Sequence, residues 1–273
     1  MNERRQYSPR LRAATTPRWL WIPGVLALLI LGGPLVALLL AMPWSDLGTI
    51  FAEPEILTAL WLSLATAGFS TLICVVLGLP LAVLLSRING VWLQVMRTLL
   101  VIPLVLSPVV SGLALIYFWG RRGMVGSLLE AAGWGIGFSP VAVVLVQVFV
   151  ALPFFAVAAL SSIESVSTDL ELAGANAGAN AGQILRHITL PLAAPGIIVG
   201  TLLAFARALG EYGATITFAG SVEGRTRTMP LQIELALNSN DPQAALGIAL
   251  MLIAIYLLVL VAAGWGVNRI FHK

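Results

Sequence analysis

Long apolar runs alternate with short polar interruptions along the chain. Six runs stand out, roughly Trp19–Met42, Ile56–Ser86, Trp92–Trp119, Phe138–Ser161, Leu192–Ala219 and Gln243–Asn268. A helix needs about 20 apolar residues to cross hydrocarbon, so each run predicts a membrane span. Several runs exceed that length, which predicts tilt or extension beyond the bilayer. Pro34, Pro80, Pro103, Pro108, Pro153 and Pro195 fall inside runs. They predict kinks or helix starts, which membrane helices tolerate where neighbours satisfy the freed carbonyls.

Composition agrees with the pattern. Of 273 residues, 59% are hydrophobic and 10% charged. Soluble domains carry about 25% charged residues. The mean hydropathy of +0.97 points to lipid as the main solvent. The net charge of +3 is small. The basic residues sit near run ends rather than in a stripe that would suit nucleic acid.

Their placement sets a topology. With the N-terminus inside, Arg4, Arg5, Arg10, Arg12, Arg18, Arg87, Arg97, Arg186, Arg269 and Lys273 are cytoplasmic. Arg121, Arg122, Arg225 and Arg227 fall outside, and Arg207 lies within a run. That asymmetry predicts both termini inside. The first external loop, with Asp46, Glu53 and Glu55, is compatible. A signal peptide is the competing reading of residues 1–42, but the apolar run is long for one. Residues 1–17 are expected to form a disordered basic tail, and residues 18–273 a six-span domain. No sensing domain is expected after Lys273.

The reactive residues are sparse. Cys74 is the single cysteine and His187 and His272 are isolated, so no disulfide or metal cluster is expected. Lys273 is the single lysine. A G-x-x-x-x-G-K-[ST] phosphate loop therefore cannot form in this sequence, and any ATP that drives it, with its magnesium, must bind another chain.

Three polar inserts interrupt the runs. Residues 120–137, GRRGMVGSLLEAAGWGIG, predict a structured external turn or a partner-docking surface. Residues 220–242, GSVEGRTRTMPLQIELALNSNDP, are also external on this topology. The third, ELAGANAGANAGQILRHITLP over residues 171–191, is cytoplasmic. Its alanines favour helix, and Gly174, Gly178 and Gly182 weaken it. It predicts a short helix, a glycine-permitted turn, a second short helix, and a span with Pro191 in its first turn. It is either a flexible alanine–glycine linker or a surface that another backbone can approach closely.

This third insert resembles the cytoplasmic signature loop of ATP-binding-cassette (ABC) importer permeases. Glu171, Ala173, Gly178, Ala179, Ile188, Leu190 and Pro191 match that loop, including the glycine-to-proline interval. Leu172 and Gly174 depart from it, and Glu171 sits one place early, as in the molybdate branch. The resemblance implies a coupling helix, within a loop at residues 162–191, that docks on an ATPase subunit. The stretch APGIIVGTLLAFARALGEYGATITFAGSVEGRTRTMPLQIE is similar to the molybdate permeases of the same class, most specifically at GEYGATITFAG and GRTRTMP. Sulfate permeases share the arginine and the Gly-Glu-(Phe/Tyr)-Gly core, but look less similar across Thr226–Pro230.

Arg207 and Glu211 lie four apart, so one helix face is expected to carry both. They fall about 15 residues into the fifth run, near mid-membrane at 1.5 Å per residue. Ionisable groups there suggest a functional site facing the bundle interior. They form either a neutralising pair that holds helices together or part of an anion path, with Tyr212, Thr215 and Thr217 beside them.

The expected fold is all-α, with six transmembrane helices of the type I ABC importer permease kind. The resemblance implies a homodimer in the cytoplasmic (inner) membrane, two ATPase subunits and an extracytoplasmic oxyanion-binding protein. The chain itself is expected to bind no cofactor and catalyse nothing. Molybdate is the implied cargo, with tungstate not distinguished and sulfate or thiosulfate as the alternative. An ion-gradient transporter is a different class, disfavoured because no acidic relay spreads over several runs. A membrane-embedded enzyme would need converging reactive side chains, which the sequence scarcely offers.

Overall fold

The computed structural model describes residues 17–271, with Arg18 and residues 262–271 described by their backbone alone. The tail expected at residues 1–17 lies, but for Pro17, outside the described residues, as does Lys273. Two units divide the chain after Trp44. In the first, helix α1 spans Trp21–Leu40, carries no charged residue and continues through Pro34.

The second unit contains eleven helices. They are α2 (Leu47–Ala52), α3 (Pro54–Leu85), α4 (Val91–Val105), α5 (Pro108–Trp119), α6 (Gly126–Ala131) and α7 (Pro140–Glu164), followed by α8 (Thr168–Asn176), α9 (Ala181–Leu209), α10 (Gly213–Phe218), α11 (Met229–Asn238) and α12 (Pro242–Phe271). Among the described residues five helices are long and apolar enough to cross a membrane, and α4 with α5 forms a sixth if the bent pair is one span.

Two of the expected spans are broken rather than continuous helices. The run Trp92–Trp119 is not one helix, because α4 and α5 meet at 116°. Leu106 and Ser107 are extended, with ψ of 136° and 149°. Proline drives the residue before it out of the helical region, and Pro108 does this to Ser107. The Ser107 hydroxyl then accepts a hydrogen bond from the Val110 N–H at 3.4 Å and starts α5. The run Leu192–Ala219 is also broken. Helix α9 begins at Ala181, ends at Leu209, and is separated from α10 by Gly210–Tyr212. The polar insert 220–242 holds a helix, α11, which buries Met229, Leu231, Gln232 and Ala236.

Helix α7 is the centre of the bundle and packs against both α3 and α9. The shared core is rich in alanine, with Ala67 and Ala82 on α3, Ala151, Ala156 and Ala159 on α7, and Ala193, Ala204 and Ala208 on α9. Lipid tails are as apolar as leucine, so helix association depends on close packing, which small residues permit. Gly200 shows how close: a Cβ there would sit 3.0 Å from the Phe155 carbonyl oxygen and 3.1 Å from the Ala158 Cβ. A second cluster joins α2, α3, α11 and α12 around Ile56, Met229 and Ile248. A third joins α5, α7 and α10 around Val143, Val146 and Phe218.

A polar seam crosses the α3–α7 contact. The Ser70 hydroxyl donates to Gln147 Oε1 at 2.8 Å, and Gln147 Nε2 donates to Thr66 Oγ1 at 3.2 Å. Nearby, the Met229 N–H donates to Ser63 Oγ at 2.7 Å and fixes the start of α11 against α3. Polar groups removed from water must find such partners, so the seam fixes the register of α3 on α7.

Gly200→Val is expected to destabilise the bundle by about 1–3 kcal/mol, the usual cost of overpacking. Gly68→Ala, at an exposed position with nothing near its would-be Cβ, is expected not to. Thermal unfolding of both variants in detergent checks the contrast.

Candidate functional site: a braced helical hairpin and a broken span

The hairpin is built from α8 and the start of α9. Ser167 begins α8, its hydroxyl accepting from the Asp169 N–H at 3.3 Å. The helix ends in a Schellman motif, with the Gly178 N–H donating to the Ala175 carbonyl at 2.9 Å and the Ala179 N–H donating to the Gly174 carbonyl at 3.1 Å. That motif needs a left-handed residue after the helix, and Gly178 has φ +87°. Asn180 and Gln183 then form a reciprocal capping box that starts α9. The segment is thus a defined helix–turn–helix rather than a flexible linker.

The second helix does not stop before the fifth span. It passes through a π-helical turn at Leu185–Thr189 and continues as α-helix from Leu190. Pro191 has no N–H to donate to the preceding turn and its ring crowds the carbonyl there. A widened turn accommodates both, and such turns recur at functional positions.

The inner face of α8 carries Glu171 and Gly174, three apart. A Cβ on Gly174 would meet Ile188 Cδ1 at 2.7 Å, so this glycine lets α8 lie close on α9. The Glu171 carboxylate accepts two hydrogen bonds of 2.7 Å from the Arg87 guanidinium and one of 2.6 Å from the Thr189 hydroxyl. The Arg87 hydrogen bonds, with help from Thr189 and the guanidinium charge and against partial burial, hold the Glu171 carboxyl below the usual carboxylate range. A lowered pKa means the bridge is fully present at neutral pH and is lost as pH falls below that range. Leu170, Leu172 and Ala173 lie exposed on α8, Ala179 and Ile188 are half-buried, Leu190 is half-buried, and Pro191 is exposed.

The broken span carries the second group. Arg207 lies in the last turn of α9, but Glu211 lies beyond the helix. The expectation of one shared helix face is therefore corrected, although the two still pair, Nη1 to Oε2, at 2.5 Å. The other Glu211 oxygen accepts from the Ala214 N–H at 2.8 Å and caps α10. The Glu211 side chain is 2% exposed and that of Arg207 29%. Glu211 is thus consumed by structure, while the Arg207 side chain stays partly exposed. The Thr217 hydroxyl donates back to the Gly213 carbonyl at 2.8 Å. Thr215 is fully buried and its hydroxyl has no protein partner. Tyr212 lies in the break, exposed, with its hydroxyl beside Glu234 of α11.

Arg87, Thr189, Glu234 and Tyr256 were not singled out as site residues from the sequence. Arg87 closes the second apolar run, which signalled topology but not its partner. Tyr256 donates to the Ala206 carbonyl at 3.4 Å, one turn before Gly210. Among the described residues no group of three or more His, Cys, Asp or Glu side chains is placed to hold a metal ion.

Apolar helices packed through alanine, a polar hairpin braced at one end and a span broken at an arginine–glutamate pair together define a polytopic membrane protein. The chain belongs to the family described as binding-protein-dependent transport system inner membrane component, whose model matches residues 74–272. It is 44% identical over 248 residues to the molybdenum transport system permease protein ModB of Mycobacterium tuberculosis, covering 91% of this chain and 94% of that protein. It is 36% identical to ModB of Escherichia coli, covering 79% of this chain and 95% of that protein. The sulfate transport system permease protein CysW of Escherichia coli is 38% identical, over 67% of this chain and 63% of that protein.

Solved structures share the fold. A chain of a bacterial alginate ABC transporter, crystallised with its alginate-bound periplasmic protein, superposes with a TM-score of 0.74 at 18% identity, covering 92% of this chain and 93% of that one. A chain of the MetNI methionine ABC transporter gives 0.63 at 19% identity, covering 80% and 99% respectively. The fold is that of type I ABC importer permeases.

Two outcomes are expected from this geometry. Nothing lies within 4 Å of a Cβ at Gly178, so a substitution there acts through backbone strain alone. Left-handed backbone costs an ordinary residue about 1–2 kcal/mol and asparagine less. Gly178→Val is therefore expected to lower hairpin order more than Gly178→Asn, as read by amide hydrogen exchange over residues 168–184. Glu211→Ala removes both a cap and an ion-pair partner and is expected to destabilise by about 3 kcal/mol, the low end for breaking a buried pair because Arg207 is partly exposed. Glu211→Gln keeps the cap and is expected to lose less in the same thermal unfolding measurement.

Proposed function

We propose that this chain is the membrane-spanning subunit of an ATP-driven importer that carries molybdate inward by alternating access. The observation that carries the proposal is the 44% identity to ModB across 91% of this chain and 94% of that protein. The hairpin supports it: α8 offers Leu170, Leu172 and Ala173 to an outside surface while its inner face is held. In this reading residues 162–191 form the cytoplasmic coupling loop, and both termini are cytoplasmic. Two copies of the chain pair in the cytoplasmic membrane, two ABC ATPase subunits bind the loops, and an oxyanion-binding protein docks outside.

The mechanism follows from where the charges lie. ATP and magnesium act on the ATPase subunits, and this chain catalyses no reaction. ATP closure moves the hairpins, and the bundles rock as rigid bodies from inward-open to outward-open. Arg207 presents its partly exposed side chain to the passing dianion, and Glu211 keeps it aimed. Tyr212 lies along the path where the fifth span is broken. Thr215 and Thr217 shape α10 around it, Thr217 with its hydroxyl already committed to the backbone. Tungstate matches molybdate in size and charge and follows the same route.

A sulfate permease is the second reading, favoured by the similarity to CysW. Uptake of labelled molybdate into proteoliposomes, with the ATPase and the binding protein present, separates the two. Tungstate at equal concentration is expected to compete and sulfate is not. Equal competition by sulfate makes the chain a general oxyanion permease, and uptake that continues without the ATPase removes it from the ATP-driven class. Arg207→Gln is expected to reduce uptake, and unchanged uptake there returns the pair to a packing role.

A further inference from the structure

The Glu171 carboxylate has little left to offer a partner protein. A carboxylate provides about four acceptor sites, and three are taken within the chain, two by Arg87 and one by Thr189. Its side chain is 16% exposed. Its position on the inner face of α8 is fixed by the contact of Gly174 with Ile188, one turn further along. The face that remains available carries Leu170, Leu172 and Ala173, all exposed.

The three groups joined by this carboxylate come from three elements. Arg87 follows the last turn of α3, Glu171 belongs to α8, and Thr189 ends the π turn of α9. At that turn the helix backbone is least constrained, because Pro191 contributes no N–H to it. The Thr189 hydroxyl is directed at Glu171 rather than at its own helix. Paired, bidentate and charge-assisted contacts of this kind fix orientation as well as distance.

We propose that Glu171 is a positioning residue acting within its own chain. Through Arg87 and Thr189 it locks the hairpin, the end of the second span and the base of the fifth span into one rigid body, so that motion of α8 reaches both spans. The ATPase is then contacted by the apolar outer face of α8 and not by Glu171. The role in transport rests on the importer reading above, but the rigid linkage itself can be measured without substrate.

The test uses the full complex with its ATPase and binding protein in proteoliposomes. Spin labels are placed at Leu84 on α3 and Ala175 on α8, both exposed, after Cys74→Ala. One narrow distance, unchanged between the nucleotide-free and ATP-bound states, is expected. Arg87→Glu is expected to broaden it and to lower stimulation of ATP hydrolysis by the loaded binding protein about five- to tenfold, the low end of ordinary coupling energies, with the ATPase still co-purifying. Arg87→Glu combined with Glu171→Arg is expected to restore both readouts. Thr189→Val, which removes one hydrogen bond and no charge, is expected to lower stimulation about twofold.

An unchanged distance and unchanged stimulation in Arg87→Glu overturn the proposal. So does loss of the ATPase subunit in Glu171→Arg that the charge swap fails to rescue, since Glu171 would then be a direct contact. If the unsubstituted complex responds to none of molybdate, tungstate and sulfate, the substrate reading fails and the distance readout still decides the linkage.

Discussion

Every backbone N–H and C=O inside a bilayer must be satisfied by the protein itself. That constraint explains where this chain can be irregular. It leaves the α-helix at two informative places along its apolar runs, and at each a side chain compensates. At Leu106–Ser107 the Ser107 hydroxyl takes the Val110 N–H. At Gly210–Tyr212 the Glu211 carboxylate takes the Ala214 N–H. The interruptions and the candidate functional groups coincide because a break in lipid needs a polar side chain, and polar side chains are otherwise scarce here.

The two arginine–glutamate pairs of the candidate site show how one chemistry serves two settings. At Arg207–Glu211 the carboxylate is buried and the guanidinium partly accessible. At Arg87–Glu171 the exposure is similarly uneven, with the arginine side chain half-exposed and the glutamate largely covered. In both, the acid spends its second oxygen on structure, a helix cap in one and a further hydrogen bond to the arginine in the other. The acids orient and the bases face outward.

Much of this was legible in the sequence. Four of the apolar runs located their long helices to within a few residues, because about 20 apolar residues have few other uses. Gly178 was legible as a turn because left-handed backbone selects glycine. The breaks were not. Averaging apolarity over Trp92–Trp119 or Leu192–Ala219 gives the same value for a straight span and a bent one. Pro108 signalled a helix start without saying that the preceding helix would leave at 116°. Helix α11 was hidden because its burial depends on contacts with α3 and α12, distant in sequence. The partner of Glu171 was hidden for the same reason, since 84 residues separate it from Arg87.

The small residues that blurred the match in the hairpin acquire a physical reason from the packing. Gly174 stands where the signature loop of the family is expected to carry alanine. A methyl group there would press on Ile188 Cδ1, the flexible end of a side chain on the π turn. Replacing it with glycine lets α8 settle closer to α9 and brings Glu171 within reach of Thr189. Leu172, the other departure, points away from that contact and stays exposed. The two departures therefore act on opposite faces of one short helix. Gly174 tightens the inner face against the chain's own spans, and Leu172 adds apolar area to the outer one. Together they favour a hairpin that is rigid toward its own bundle and adhesive toward whatever docks on it.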